Sequence, residues 1–398
     1  MTKKEDKNLN CPRLRFPGFT APWEQRRLLD CVERVIDYRG RTPKKLGLDW
    51  APTGYLALSA LNVKDGFIDT SVEAHYANQE LYDKWMGDAE LKQGQVLFTT
   101  EAPMGNVAQV PDNKGYILSQ RTIAFATQKN IILDSFLAIS LKSYSVFSKL
   151  ESLSSGGTAK GISQKSLAEV SLLLPKNLKE QEKIADIFSS LNRFITLHQR
   201  ESEELKRLKK SLLQKMFPKE GALVPELRFP GFTDPWEQSK LENVLDVNSG
   251  RDYKGEGLGN IPVYGTGGYM LSISRALSYD RDAIGIGRKG TINNPFILKA
   301  PFWTVDTLFY AVPKNPKSLD FLYAFFQSVD WSKKDESTGV PSLSKSAINR
   351  TLLKIPTEEE QEEIGNFFLK LTDLITLHQR KLETLKKLKK GLLQQMFI

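Results

Sequence analysis

Two long stretches of this chain share one rhythm of apolar and polar positions. Alternating steps of three and four pass through Ile184, Ile187, Leu191, Phe194, His198, Glu201, Leu205, Leu208 and Leu212. The same steps later in the chain pass through Ile364, Phe367, Leu371, Leu374, His378, Lys381, Leu385, Leu388 and Leu392. A seven-residue repeat held for about four heptads predicts a coiled-coil seam; an amphipathic helix lying on a globular core is the alternative. Ahead of each helix a small-residue loop precedes a short apolar run, "VSLLLP" (Val170–Pro175) or "LLKIP" (Leu352–Pro356), which reads as a strand.

The two stretches are copies. "FITLHQRESEELKRLKKSLLQKMF" (Phe194–Phe217) aligns without gaps on "LITLHQRKLETLKKLKKGLLQQMF" (Leu374–Phe397), with 17 of 24 positions identical. A second repeat, "LRFPGFTAPWEQ" (Leu14–Gln25), returns as "LRFPGFTDPWEQ" (Leu227–Gln238) with one difference. Each half therefore opens and closes alike, while the interiors at Arg26–Leu178 and Ser239–Glu358 barely resemble each other. Both helices start acidic ("KEQEKIADIF", "EEQEEIGNFF") and end basic ("KRLKK", "KKLKK"). Antiparallel pairing sets each acidic start beside the other's basic end, so an antiparallel pair is expected. Centred on the polar break in the seam, that register sets His378 against Glu201 and His198 against Lys381, four residues expected to fix register.

A chain of 398 residues suffices for two or three domains, and 40% hydrophobic content describes a globular protein. No apolar run reaches membrane-span length, and the segment "MTKKEDKNLN" reads as a disordered tail rather than a secretory signal. With Cys11 and Cys31 outside any CxxC pair and only His75, His198 and His378, short-spaced metal ligands are lacking, so no metal is expected. Free thiols suit a reducing cytoplasm. A net charge of +9 admits nucleic acid, an anionic membrane or an acidic protein as partner.

The duplicated frame, the "RFPGF…PWEQ" openings and the "KEQEKIADIF…LHQR…LKK…LLQ" helices resemble the specificity subunit of Type I DNA restriction–modification enzymes, over nearly the whole chain from about residue 11. Interior segments are similar to that family's target-recognition domains: "YRGRTPKK", "TEAPMGNVAQV", "LSQRTIAF" and "GGTAKGISQKSLAEVSLLLP" in the first half, "IPVYGTGGYM", "IGRKGTINNPF" and "STGVPSLSKSAINRTLLKIP" in the second. The resemblance implies an α+β fold with two pseudo-twofold-related recognition domains separated by the antiparallel helices. The expected division is a tail at 1–10, recognition domain 11–178, spacer helix 179–217, turn 218–226, recognition domain 227–358 and spacer helix 359–398. A helix of about 37 residues spans roughly 55 Å, more than one DNA turn.

It also implies a subunit that catalyses nothing and binds no cofactor itself. It would read a split, asymmetric site on double-stranded DNA, one half per domain, and carry two methyltransferase subunits. S-adenosylmethionine, ATP and magnesium would be used by partners, including two restriction–translocase subunits. A standalone DNA adenine methyltransferase and a freestanding bipartite repressor are the rival readings.

Base and phosphate contact calls for Arg or Lys, Asn or Gln, and glycine-flanked backbone. Candidates are Arg39, Arg41, Lys44, Lys45, Arg121 and Lys160 in the first domain. In the second they are Arg251, Tyr253, Lys254, Tyr264, Thr266, Tyr269, Arg288, Lys289 and Asn293. Two motifs fall short. "NNPF" (Asn293–Phe296) has Asn294 where an amino-methyltransferase signature has its first proline, and "GGTAKGIS" (Gly156–Ser163) has Ile162 where a phosphate loop has lysine. The "LRFPGFT.PWEQ" aromatics are identical in both halves, so they cannot read different half-sites; packing at the helix junction, or partner docking, is expected of them.

Overall fold

The computed structural model describes residues 10–72, 74–157, 160–314 and 317–397; the expected tail lies outside these but for Asn10, as do Thr158 and Ala159 of the glycine loop. The chain forms two compact units, residues 10–197 with 382–397 and residues 198–381. The long helices, Leu178–Lys215 and Glu358–Met396, are shared between the units rather than standing apart as separate spacer domains. Each half-helix has a buried apolar face that completes the core of its unit.

In the first unit, the strand after the repeated opening, Glu24–Arg27, pairs antiparallel with Ser171–Leu174, which leads into the first long helix. An antiparallel sheet follows in the order Val32–Asp37, Thr122–Thr127, Val96–Thr99, Val107–Gln109. A mixed sheet has Tyr55–Leu58 between Tyr76–Ala77 and Tyr116–Leu118, the last pair parallel. "VLFT" (Val96–Thr99) is buried on both faces because alternate residues enter different cores. Val96 and Phe98 join Trp23, Phe136 and Phe188, whereas Leu97 joins Leu56 and Trp85.

In the second unit, Glu237–Lys240 pairs with Leu352–Ile355. The antiparallel sheet runs Leu245–Ser249, Leu308–Pro313, Ala283–Gly287, Phe296–Leu298. A mixed sheet has Leu258–Gly265 between Gly268–Ile273 and Trp303–Thr304, again with the last pair parallel. The interiors that differ so much in sequence follow one sheet plan. One close approach depends on glycine. A Cβ on Gly365 of the second long helix would lie 2.8 Å from the Phe321 backbone nitrogen of the helix Leu319–Ser328.

The repeated openings are packing elements. Trp23 is buried edge-on against Phe136 and Phe397, and Arg15 clasps Glu180 through Nε and Nη2 at 2.6 and 2.9 Å. Trp23 Nε1 donates to the same carboxylate at 3.2 Å. In the second unit, Trp236 lies edge-on to Phe217 and Phe321, and Arg228 clasps Glu360 with two bonds of 2.7 Å.

Within each unit the beginning of one long helix lies against the end of the other. Phe188 meets Phe397 in the first unit; Phe217 meets Phe368 in the second, where Lys209 Nζ also donates to Thr372 Oγ1 at 2.7 Å. The helices are therefore antiparallel. Their inward face differs in phase from the expected seam. Ile184, Leu191, Ile364 and Leu371 are buried, but the alternate positions are filled by Phe188, Ile195, Ser202, Lys209, Phe368, Ile375 and Lys389. Phe194, Leu208, Leu374 and Leu388, expected inside, are exposed. The expected facing of His198 and Lys381 also changes: Lys381 is exposed, while both histidines contact Glu201. The inward face is rotated toward the next position in each heptad, which carries Lys381 outward.

Two lysines on that inward face have a measurable consequence. Burial pushes the Lys209 ammonium down to about 8, and burial followed by the nearby Lys142 charge lowers Lys389. The unfolded chain then binds more protons than the folded one between pH 8 and the ordinary lysine range, so stability rises across that window and the penalty is complete below it. Lys209→Met is expected to stabilise the fold by about 1–2 kcal/mol at pH 7, after allowance for partial exposure. It should also flatten the alkaline rise in denaturation midpoint; an unchanged pH profile would contradict this account.

Candidate nucleic-acid interface

In each unit, loops from both sheets are fastened by backbone hydrogen bonds. In the first unit, Thr100 N donates to Arg121 O at 2.8 Å and Ile162 N to Thr100 O at 2.9 Å, while Glu101 bridges Gly161. In the second, Arg288 N donates to Thr307 O at 2.8 Å and Leu343 N to Arg288 O at 2.9 Å, while Lys289 bridges Ser342. The networks are the same, and they set different side chains at matching positions: Thr100 and Arg288, Glu101 and Lys289, Arg121 and Thr307. The small-residue loops are part of this frame. Asp335 Oδ1 accepts from Ser337 N, Ser337 Oγ and Ser342 N at 2.8–2.9 Å, and those bonds hold its carboxyl below the usual range.

The first-unit candidates divide by what already occupies them. Arg39 Nε donates to Asp37 at 2.9 Å and its Nη1 to Ile162 O at 3.3 Å, tying a strand end to the glycine loop. Arg41 donates to the Trp85 carbonyl and stacks 4.0 Å over Tyr38. Both hold the fold together. Lys44 and Lys45 are exposed, Lys45 Nζ donating to Gly40 O at 2.7 Å. Arg121 is exposed with a left-handed φ of 61°, strained for a residue with a Cβ, and lies 3.7 Å from Glu101. Lys160 is exposed, 3.9 Å from Glu151.

In the second unit, Arg251 is exposed; its backbone N donates to Thr304 O, and its carbonyl accepts from Trp303 Nε1. Tyr253 packs on the small core of Val263, Ile273 and Trp303, and Lys254 is exposed. Tyr264 is half-buried between Tyr269 and Phe296, whereas Tyr269 is 63% exposed and Thr266 sits in the intervening turn. Arg288 and Lys289 are exposed at the fastened loops. Asn293 is bound to Ser332 through both amide atoms, so "NNPF" is a braced turn.

The structure adds residues that carry no basic signal. Beside Arg121, a cavity of about 220 Å³ is lined by Trp50, Leu61, His75, Ala102 and Gln120, with Trp50 stacked on His75 at 5.2 Å. Gln120 and Glu101 have the chemistry to meet adenine and cytosine edges. Both lie inside the segments "LSQRTIAF" and "TEAPMGNVAQV", which mark the region but not the residue. Among the described residues, no helix is long and apolar enough to cross a membrane.

Comparison with known proteins agrees with this organisation. Over 94% of this chain and 92% of its own length, the Type I restriction enzyme MjaVIII specificity subunit of Methanocaldococcus jannaschii is 23% identical. The crystal structure of a Type-I restriction-modification system S subunit from M. genitalium superposes with a TM-score of 0.73 at 18% identity, over 98% of this chain and 99% of that one. A family model matches residues 21–207 and again 233–387. With that double match covering most of its length, the chain belongs to the family of the Type I restriction modification DNA specificity domain.

Proposed function

We propose that this chain is the sequence-reading subunit of a type I restriction–modification complex, each unit reading one half of a bipartite, asymmetric site on double-stranded DNA. One observation carries the reading: matched backbone networks bear unmatched side chains, Thr100 against Arg288, Glu101 against Lys289 and Arg121 against Thr307. A shared frame suits a common approach to the phosphate backbone, and differing side chains suit different bases. The long helices hold the half-sites at a fixed spacing and seat two methyltransferase subunits. Phe194, Leu197 and Leu388 are exposed in the first unit, and Leu374, Leu377 and Leu208, their repeat equivalents, in the second. Solvent gives no reason to place the same three apolar side chains outward twice; two identical partners do.

The chain itself has no catalytic role in this reading. Methyl transfer with S-adenosylmethionine, and cleavage with ATP and magnesium by two restriction subunits, belong to cytoplasmic partners. Single-molecule methylome sequencing with and without the gene tests it. A split adenine-methylated motif is expected to vanish with the gene, and methylation indifferent to its loss would overturn the proposal.

A further inference from the structure

We infer that His198, Glu201 and His378 form a binding site for a first-row transition-metal dication. His198 Nδ1 and His378 Nδ1 lie 3.1 Å apart, and Glu201 Oε2 lies 3.1 and 3.0 Å from them. The two imidazoles come from the two copies of "ITLHQR"; the carboxylate comes from the first helix only, since Lys381 occupies the matching place. Duplication followed by antiparallel pairing brings together ligands 180 residues apart, which no short-spacing rule detects.

The triangle has the dimensions of one face of a coordination shell. Its corners lie roughly 1.8 Å from its centre, so an ion about 2.1 Å from each corner sits about 1 Å out of the plane. The angles between ligands at that ion are then roughly 94°, nearer the right angle of an octahedral face than a tetrahedral one. Two imidazoles and a carboxylate with open positions suit cobalt, nickel, iron or zinc dications, whereas magnesium and calcium prefer all-oxygen sites. The three atoms lie within hydrogen-bonding distance of one another; a dication would instead accept a lone pair from each. The histidine side chains are 18% and 15% exposed and that of Glu201 39%, so an ion can enter and keep water on its outer face. Bound there, it ties the two helices together at the middle of the repeat and fixes their register.

The test uses the full chain, stripped with a chelator and titrated with Co²⁺ and separately with Zn²⁺. One saturable site per chain is expected, with a rise of several degrees in melting midpoint at about 100 times Kd. The cobalt form should show the weak visible absorption of six-coordination and two imidazoles by X-ray absorption. His198→Gln and His378→Gln should each weaken binding at least about tenfold while the metal-free melting midpoint is kept. Should either variant fail to fold, the imidazole count on the unaltered chain decides. No saturable binding up to about 1 mM, binding unchanged in both variants, or a shell without imidazole would overturn the inference. Because no DNA is involved, the result is independent of the proposed recognition role.

Discussion

Glu360→Ala is expected to destabilise the chain by about 3–5 kcal/mol, because it leaves a guanidinium buried without its counter-charge. Glu360 is fully buried and holds Arg228, itself 11% exposed, through two bonds of 2.7 Å at the corner where the repeated opening meets the second long helix. Desolvating the arginine is tolerable only while the carboxylate faces it. Removing both charges together is a different experiment. The Arg228→Met, Glu360→Met chain should recover much of the loss, since the pair stabilises little over apolar packing. The corner in the first unit should be the more sensitive: Glu180 holds Arg15 and also accepts from Trp23, whereas Trp236 Nε1 has no hydrogen-bond partner among the described residues. Glu180→Ala therefore strands the part-buried Arg15 guanidinium and the buried Trp23 indole. Denaturant unfolding reads all three; a Glu360→Ala midpoint equal to that of the unaltered chain would show that the clasp contributes nothing.

What the sequence discloses follows from which interactions leave a mark on residue type. The long helices are legible because their copies still share 17 of 24 positions, and their antiparallel course because acidic starts and basic ends oppose each other. The phase of the inward face is not. Pattern reading sends Phe194 and Leu208 inward because they are apolar, while the fold points them out and turns Ser202 and Lys209 in. That inversion makes sense where an outward apolar side chain meets another protein. The common sheet plan is hidden for another reason: it is written in backbone hydrogen bonds, which accept Thr100 or Arg288 equally well. Among the candidate contacts, residue type alone cannot separate Arg39, spent on Asp37 and Ile162, from Arg121, which is exposed at the loop cluster. Nor can it find Glu101 or Gln120, whose interest lies only in their place beside Arg121.

Turning the exposed apolar side chains of one unit into aspartates is expected to halve the methyltransferase complement. Phe194→Asp with Leu388→Asp alters only the first unit, and Leu374→Asp with Leu208→Asp only the second. All four positions are 41–49% exposed, so an aspartate there keeps its hydration and the fold of the free chain should change little. In a seated complex the same carboxylate would be desolvated at an apolar contact without a counter-charge, enough to lower affinity by a hundredfold or more at about 3 kcal/mol. Native mass spectrometry of the co-expressed proteins should then find one methyltransferase subunit per chain for either pair of substitutions. With all four changes it should find none. Retention of both subunits by the fourfold variant would mean that partners dock elsewhere, and the outward apolar positions would need another cause. Loss of both from a single pair would mean that the two seats are filled together, so that the first methyltransferase subunit depends on the second to stay bound.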